Sequence, residues 1–152
     1  MTVRGRRVAA VAALLVLVPA AGCAGPSRTG EDYRNKAAST AGAAASAVNT
    51  ALIGVRAAGD GRVTGPYVSV LLGDAETDLL AVQQTFESRQ PPDEASDAVR
   101  ERLGKALGKA ADALAAVRIA ARRGEVRELP ETGRDLPAAA ERLERLEKEM
   151  SS

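Results

Sequence analysis

Cys23 is the only cysteine in a chain of 152 residues that contains no histidine at all. Its thiol is therefore the first place to look for covalent chemistry. Without histidine the usual acid-base side chain, the Ser-His-Asp triad and zinc sites with His ligands are all excluded. The Glu-x-x-His pairs of di-metal helical proteins are excluded with them. Neither Ser-x-x-Lys nor Gly-x-Ser-x-Gly occurs in the sequence, so two further nucleophile motifs are missing. Asp74, Glu76 and Asp78 have the first three ligand spacings of a calcium loop. However, Leu79 stands where its turn needs glycine and Thr85 where it needs a bidentate glutamate, so the three carboxylates read as a solvated helix face. Gly108-Lys109 lacks the upstream glycine of a P-loop, and Ala110 replaces its hydroxyl residue. No metal and no nucleotide cofactor is expected, and the chain is read as not being an enzyme.

What surrounds Cys23 gives the thiol a role. Arg4, Arg6 and Arg7 precede an apolar run from Val8, which ends in the small residues Ala20-Ala21-Gly22 directly before Cys23. A basic stretch, a short apolar segment and a small-residue cleavage site are the parts of a secretory signal. The segment Ala20-Ala21-Gly22-Cys23 resembles the lipobox of bacterial lipoproteins, with Ala20 where that family usually has Leu. The resemblance implies that Cys23 receives a thioether-linked diacylglycerol, that the signal peptidase cuts between Gly22 and Cys23, and that Cys23 becomes the new N-terminus. It also implies a membrane partner reached through the lipid and a location on the extracytoplasmic face of the cell membrane. An uncleaved span is disfavoured, because Val8 to Ala21 is about 14 residues where a spanning helix needs about 20. A secreted protein with one free thiol would leave that cysteine without a partner in an oxidising compartment. Arg6-Arg7 also allows twin-arginine export, but its flanks supply little else of that signal.

Removing residues 1 to 22 deletes Arg4, Arg6 and Arg7 from 21 Lys and Arg against 20 Asp and Glu, leaving a mature charge of about −2. Nucleic acid needs a basic face, so none is expected as a partner. The remaining length, about 130 residues, suits one domain. Aromatics are scarce, with Tyr33, Tyr67 and Phe86 the whole supply, so stacking platforms for sugars or bases are disfavoured. Alanine makes up about a fifth of the chain and arginine far outnumbers lysine. The bias resembles that of small exported lipoproteins of high-GC Gram-positive bacteria. A core poor in aromatics and rich in Ala, Leu and Val favours helices over sheets, because Ala has the best helix propensity and a poor strand propensity.

The spacing of apolar residues divides the mature chain. Residues 23–30, rich in Gly, Pro and small polar residues, read as a tether from Cys23, with a fully extended reach of about 25 Å. Residues 31–150 form the domain. A first helix is predicted from Glu31 to about Ala58, with Ala41, Ala44, Val48, Leu52 and Val55 on one stripe, ended by Gly59-Asp60-Gly61. Gly65-Pro66 opens a second. Val68, Leu72, Ala75, Leu79, Val82 and Phe86 recur along it at spacings of four and three, the seam of a bundle helix, and Pro91-Pro92 stops it. A strand over Tyr67 to Leu72 is the weaker alternative. Asp93 is placed to cap a third helix carrying Val99, Leu103, Leu107, Ala110, Leu114, Val117 and Ala121, with Arg122-Arg123-Gly124 as its end. Leu129 to Gly133 is a connection, and Leu136, Ala139, Leu143, Leu146 and Met150 form a fourth stripe.

Four amphipathic segments with short breaks predict an all-α fold, an up-and-down four-helix bundle. Within it, Gly104 and Gly108 lie one turn apart, which allows either a close helix contact or no contact at all. Glu141 to Arg145 and Glu144 to Lys148 are spaced as exposed ion pairs. The functional expectation is a non-catalytic interaction or structural module of the envelope that binds or spaces an envelope protein. The alternative is a lipoprotein that binds or senses a small ligand in a cavity between helices. Residues 31–150 expressed alone are expected to be soluble and strongly helical. A far-UV circular dichroism spectrum dominated by strand or coil would overturn the fold class.

Overall fold

The computed structural model describes residues 29–152. The signal segment, Gly22, Cys23 and most of the tether lie outside the described residues. All regular structure that is described is helical. In chain order it comprises α1 (Gly30–Gly59), α2 (Gly65–Glu87), α3 (Glu94–Arg122), a single 3-10 turn (Val126–Glu128), the one-turn α4 (Leu129–Thr132) and α5 (Leu136–Ser151). The strand alternative over Tyr67 to Leu72 is overturned, because α2 runs unbroken through Gly73.

Local chemistry sets the boundaries. Thr29 Oγ1 accepts the Asp32 N–H at 3.1 Å and Asp93 Oδ1 accepts the Ser96 N–H at 2.8 Å, satisfying amides that a helix start leaves without partners. The Ser96 hydroxyl and then its amide hold the Asp93 carboxyl below the usual carboxylate range. At the other end, α1 and α3 close in the same way. Gly61 and Gly124 have φ of 67° and 79°, the left-handed region that glycine enters without steric penalty. The next amides return to the helix, Arg62 N–H to the Ala57 carbonyl at 2.8 Å and Glu125 N–H to the Ala120 carbonyl at 3.0 Å, as in Schellman caps. α2 stops at Glu87, four residues short of Pro91; a residue before proline is pushed out of the helical region, and Gln90 and Pro91 are both so placed.

The predicted seam of α2 is buried at Val68, Leu72, Ala75, Leu79 and Phe86, with Val82 partly covered. In α3 Leu103, Leu107, Ala110, Leu114, Val117 and Ala121 are buried as expected, while Val99 is only partly covered. Two details differ in the last third of the chain. The connection predicted at Leu129 to Gly133 is itself helical, because Leu129 is fully buried and pins the turn to the core. In α5 the buried line passes through Ala140 rather than Ala139, which is only partly covered.

α1 lies against α2, α3 and α5. Its pairing with α2 is antiparallel: Tyr33 meets Phe86 at one end, and Gly54 meets Val68 and Leu71 at the other. It is also antiparallel to α5. Gly42 faces Glu147, Asn49 Nδ2 donates to Glu144 Oε1 at 3.0 Å, and Gly59 faces Pro130. This overturns the expected Glu144 to Lys148 pair, since Glu144 turns across to α1 instead. The Glu141 to Arg145 pair does form, at 3.5 Å. α2 and α3 are joined by Glu76 with Arg118 and by Arg100 Nη2 donating to the Glu87 carbonyl at 3.0 Å. Arg102 with Glu149 joins α3 to α5. Each fully covered Leu contributes about 1.5–3 kcal/mol relative to exposure, and Leu72, Leu79, Leu103, Leu107, Leu114, Leu143 and Leu146 are all so covered.

The glycines sort by what surrounds them. A Cβ at Gly54 would strike the Leu71 side chain, and one at Gly59 would lie 2.7 Å from Pro130 Cγ. At Gly104 and Gly108 it would meet nothing within 4 Å, so those two mark no helix contact. A glycine inside a helix costs about 0.5–1 kcal/mol relative to alanine. Gly104→Ala and Gly108→Ala are each expected to stabilise the domain by about that amount in chemical denaturation. A loss of stability in either would show that the backbone is approached there.

Candidate functional site

Cys23, the predicted lipidation residue, and Gly22, the residue before the cleavage point, lie outside the described residues. Other candidates from the sequence are placed by the helices and are not brought together. Asp74 and Asp78 are exposed on continuous helix while Glu76 turns towards Arg118. Arg118 Nε makes no hydrogen bond even so, its N–H not being directed at the carboxylate. Among the described residues no group of three or more His, Cys, Asp or Glu is arranged to hold a metal ion. α1 is long and apolar enough to cross a membrane by length and composition alone. Half of its apolar window is buried inside the domain, as in a core helix.

Two grooves flank the C-terminal half of α2. One, of about 420 Å³, lies on its α3 side and is lined by Phe86, Glu87, Asp97, Arg100, Glu101 and Lys105 among others. Two of its cations already have partners within it: Arg100 donates to the Glu87 carbonyl and Lys105 pairs with Glu101. Lys105 in turn holds the Glu101 carboxyl below its ordinary range, first through the hydrogen bond and then through its charge. The second groove, of about 310 Å³, lies between α1 and α2, with Lys36, Ser39, Thr40, Thr85 and Arg89 at its polar end and Ala43, Ala81 and Val82 along its apolar part. Both open at the surface, outside the Leu and Ala core.

Between the grooves sits an aromatic plug. Tyr33 and Phe86 are both fully buried, with ring centroids 5.5 Å apart and planes inclined at 48°, a tilted arrangement that aromatic pairs favour. Tyr33 Oη has no hydrogen-bond partner among the described residues. Burial raises its pKa; Arg100 and Arg89 oppose that shift, and Asp97 adds to it. The sequence identifies Phe86 as core but gives Tyr33 no role, although Tyr33 continues the stripe of Ala41, Ala44 and Val48 back through Ala37 at spacings of four.

No protein-family model, curated protein or solved structure matches the chain.

The two rings make opposite predictions. Phe86→Ala removes a fully buried ring and is expected to cost about 3–5 kcal/mol. Tyr33→Phe keeps the packing and deletes an unpaired buried hydroxyl, so it is expected to be neutral or to stabilise by about 1 kcal/mol at neutral pH. Because folding raises the Tyr33 pKa, its neutral form favours the folded state fully below the ordinary value of about 10 and progressively less as pH rises through the raised value. Denaturant titrations at neutral and alkaline pH should therefore show Tyr33→Phe losing less stability with alkali than the parent. An equal alkaline loss would mean that the phenol is not the group responsible.

Proposed function

We propose that this chain is a lipoprotein of the extracytoplasmic face of the cell membrane, cut between Gly22 and Cys23 and anchored by a diacylglycerol on the Cys23 sulfur. Its mature part is an up-and-down four-helix bundle formed by α1, α2, α3 and α5, acting as a non-catalytic interaction or structural module of the envelope. The observation that carries the anchor is the sequence Ala20-Ala21-Gly22-Cys23 behind a basic and apolar leader. The bundle is supported by the antiparallel pairing of α1 with α2, α2 with α3 and α3 with α5 through named contacts, with α4 a single turn inside the last connection.

A non-catalytic role is supported by the residues available. The chain has no histidine, its one thiol is taken up by the lipid, and on the α3-side groove Glu101 is paired with Lys105 and the Glu87 carboxylate accepts from Gln83. The second reading, a cavity between helices for a small ligand, has less support, since the core positions facing one another are filled by Leu, Val and Ala and both grooves open outward. An envelope partner would then meet the domain at its surface. The exposed apolar side chains there lie on three helices, at Ile53, Tyr67, Val70, Leu80 and Ile119, with Tyr67 and Val70 one turn apart on α2.

Cys23→Ala tests the anchor directly. In cells fed a labelled fatty acid, the parent chain should take up label and lose its leader. The variant should take up none and persist as the longer precursor. Label on the Ala variant, or none on the parent, would overturn the lipoprotein reading.

A further inference from the structure

The groove between α1 and α2 differs from its neighbour in one respect: no carboxylate lines it. Its polar end carries Lys36 and Arg89. The Arg89 guanidinium forms no ion pair or side-chain hydrogen bond among the described residues. Lys36 Nζ gives one hydrogen bond to Asp32, at 2.7 Å, and an ammonium has three to give. Thr40 and Thr85 spend their hydroxyl protons on the Lys36 and Ala81 carbonyls, so they face the groove only as acceptors. Ser39 makes no such bond. The donors left for a ligand are thus a guanidinium fork, an ammonium and one hydroxyl, lining the same groove as the apolar Ala43, Ala81 and Val82.

We propose that this groove is a binding site for a phosphate-bearing anion, with Arg89 and Lys36 holding the phosphate oxygens, Ser39 donating to it, and the Ala and Val side chains receiving the apolar part of an attached group. Phosphate offers several acceptor oxygens to such a set, and Arg matches a pair of them bidentately while Lys acts as a point charge. In the α3-side groove three carboxylates line the wall and Arg100 already donates to the Glu87 carbonyl, whereas no carboxylate lines this groove and Arg89 has no such bond; Lys36, like Lys105, is held by one carboxylate. The anion can be a soluble phosphate or a phospholipid headgroup. The second source rests on the lipid-anchor reading, under which the groove faces the bilayer end of the domain, because Lys36 is only about 9 Å along α1 from Gly30.

The test uses the full chain, isotope-labelled and held in a non-ionic maltoside micelle, titrated with sodium phosphate, dihexanoyl phosphatidylglycerol and dihexanoyl phosphatidylcholine. Saturable amide shifts confined to residues 36–43 and 81–89 are expected with the first two. Lys36→Gln and Arg89→Gln should each weaken binding by about tenfold while leaving the remaining spectrum in place. Saturation by phosphatidylglycerol at lower concentration than by phosphate, with phosphatidylcholine weaker, assigns the site to anionic lipid. Equal saturation by phosphate keeps the site and assigns it to soluble phosphates. No saturable shift with either anion, or unchanged affinity in Arg89→Gln, would overturn the proposal. Fatty-acid labelling reports on Cys23 separately, so a failed anchor and a failed groove are told apart.

Discussion

Eight of the buried side chains of α1 are alanine, and the closeness this allows is what the other helices depend on. A face of methyl groups lets neighbouring axes approach towards the short end of the usual range of about 8–10 Å. The leucines of α2, α3 and α5 then fill space that α1 leaves open. Interiors tolerate few voids larger than a water molecule, so a bulkier α1 would have to push away several partners at once. Gly54 extends the same logic to the backbone, where the Leu71 side chain lies over it with no room for a Cβ.

A face of alanines is smooth, and smooth faces slide. Direction and register therefore fall to a few contacts that reach between helices. Asn49 with Glu144 fixes α5 on α1, Glu76 with Arg118 fixes α3 on α2, and Arg102 with Glu149 ties α3 to α5. Of these, Arg102 with Glu149 is exposed and contributes little net energy, while the other two are partly covered. The part of all three is to distinguish one axial setting from its neighbours a turn away. The aromatic plug acts at one end only, where Tyr33 and Phe86 are too large for any other register of α1 against α2.

Most of the helical framework was legible in the sequence because leucine and valine mark a period of about 3.6 residues unambiguously. The seam from Val68 to Phe86 and the caps at Asp93, Gly61 and Gly124 were read correctly for that reason. What escaped was whatever depended on packing. The breadth of the buried face of α1 is hidden in a sequence where alanine is common both inside and outside. Leu129 looked like part of a connection, since a single apolar residue between breakers has no period. Gly104 and Gly108 left a contact and no contact both open, and their open surroundings decide for no contact. Lys36 and Arg89 are far apart in sequence and share a groove only because α1 and α2 run antiparallel, so no local spacing could have paired them. Cys23, by contrast, lies outside the described residues, and there the order of residue types around it is all there is to read.

The last turns of α5 lie beside the first half of α1, as Glu147 against Gly42 shows, so the start of α1 and the end of α5 fall in the same half of the domain. The opposite half is closed by the turn at Asp60 to Thr64 and by the bend through Val126 to Gly133. Chains whose ends lie near each other accept circular permutation, and exposed turns accept insertions. The opposite half is free for display: a peptide grafted between Asp60 and Thr64 would be held out on the side away from Gly30, on a rigid stalk of two long helices.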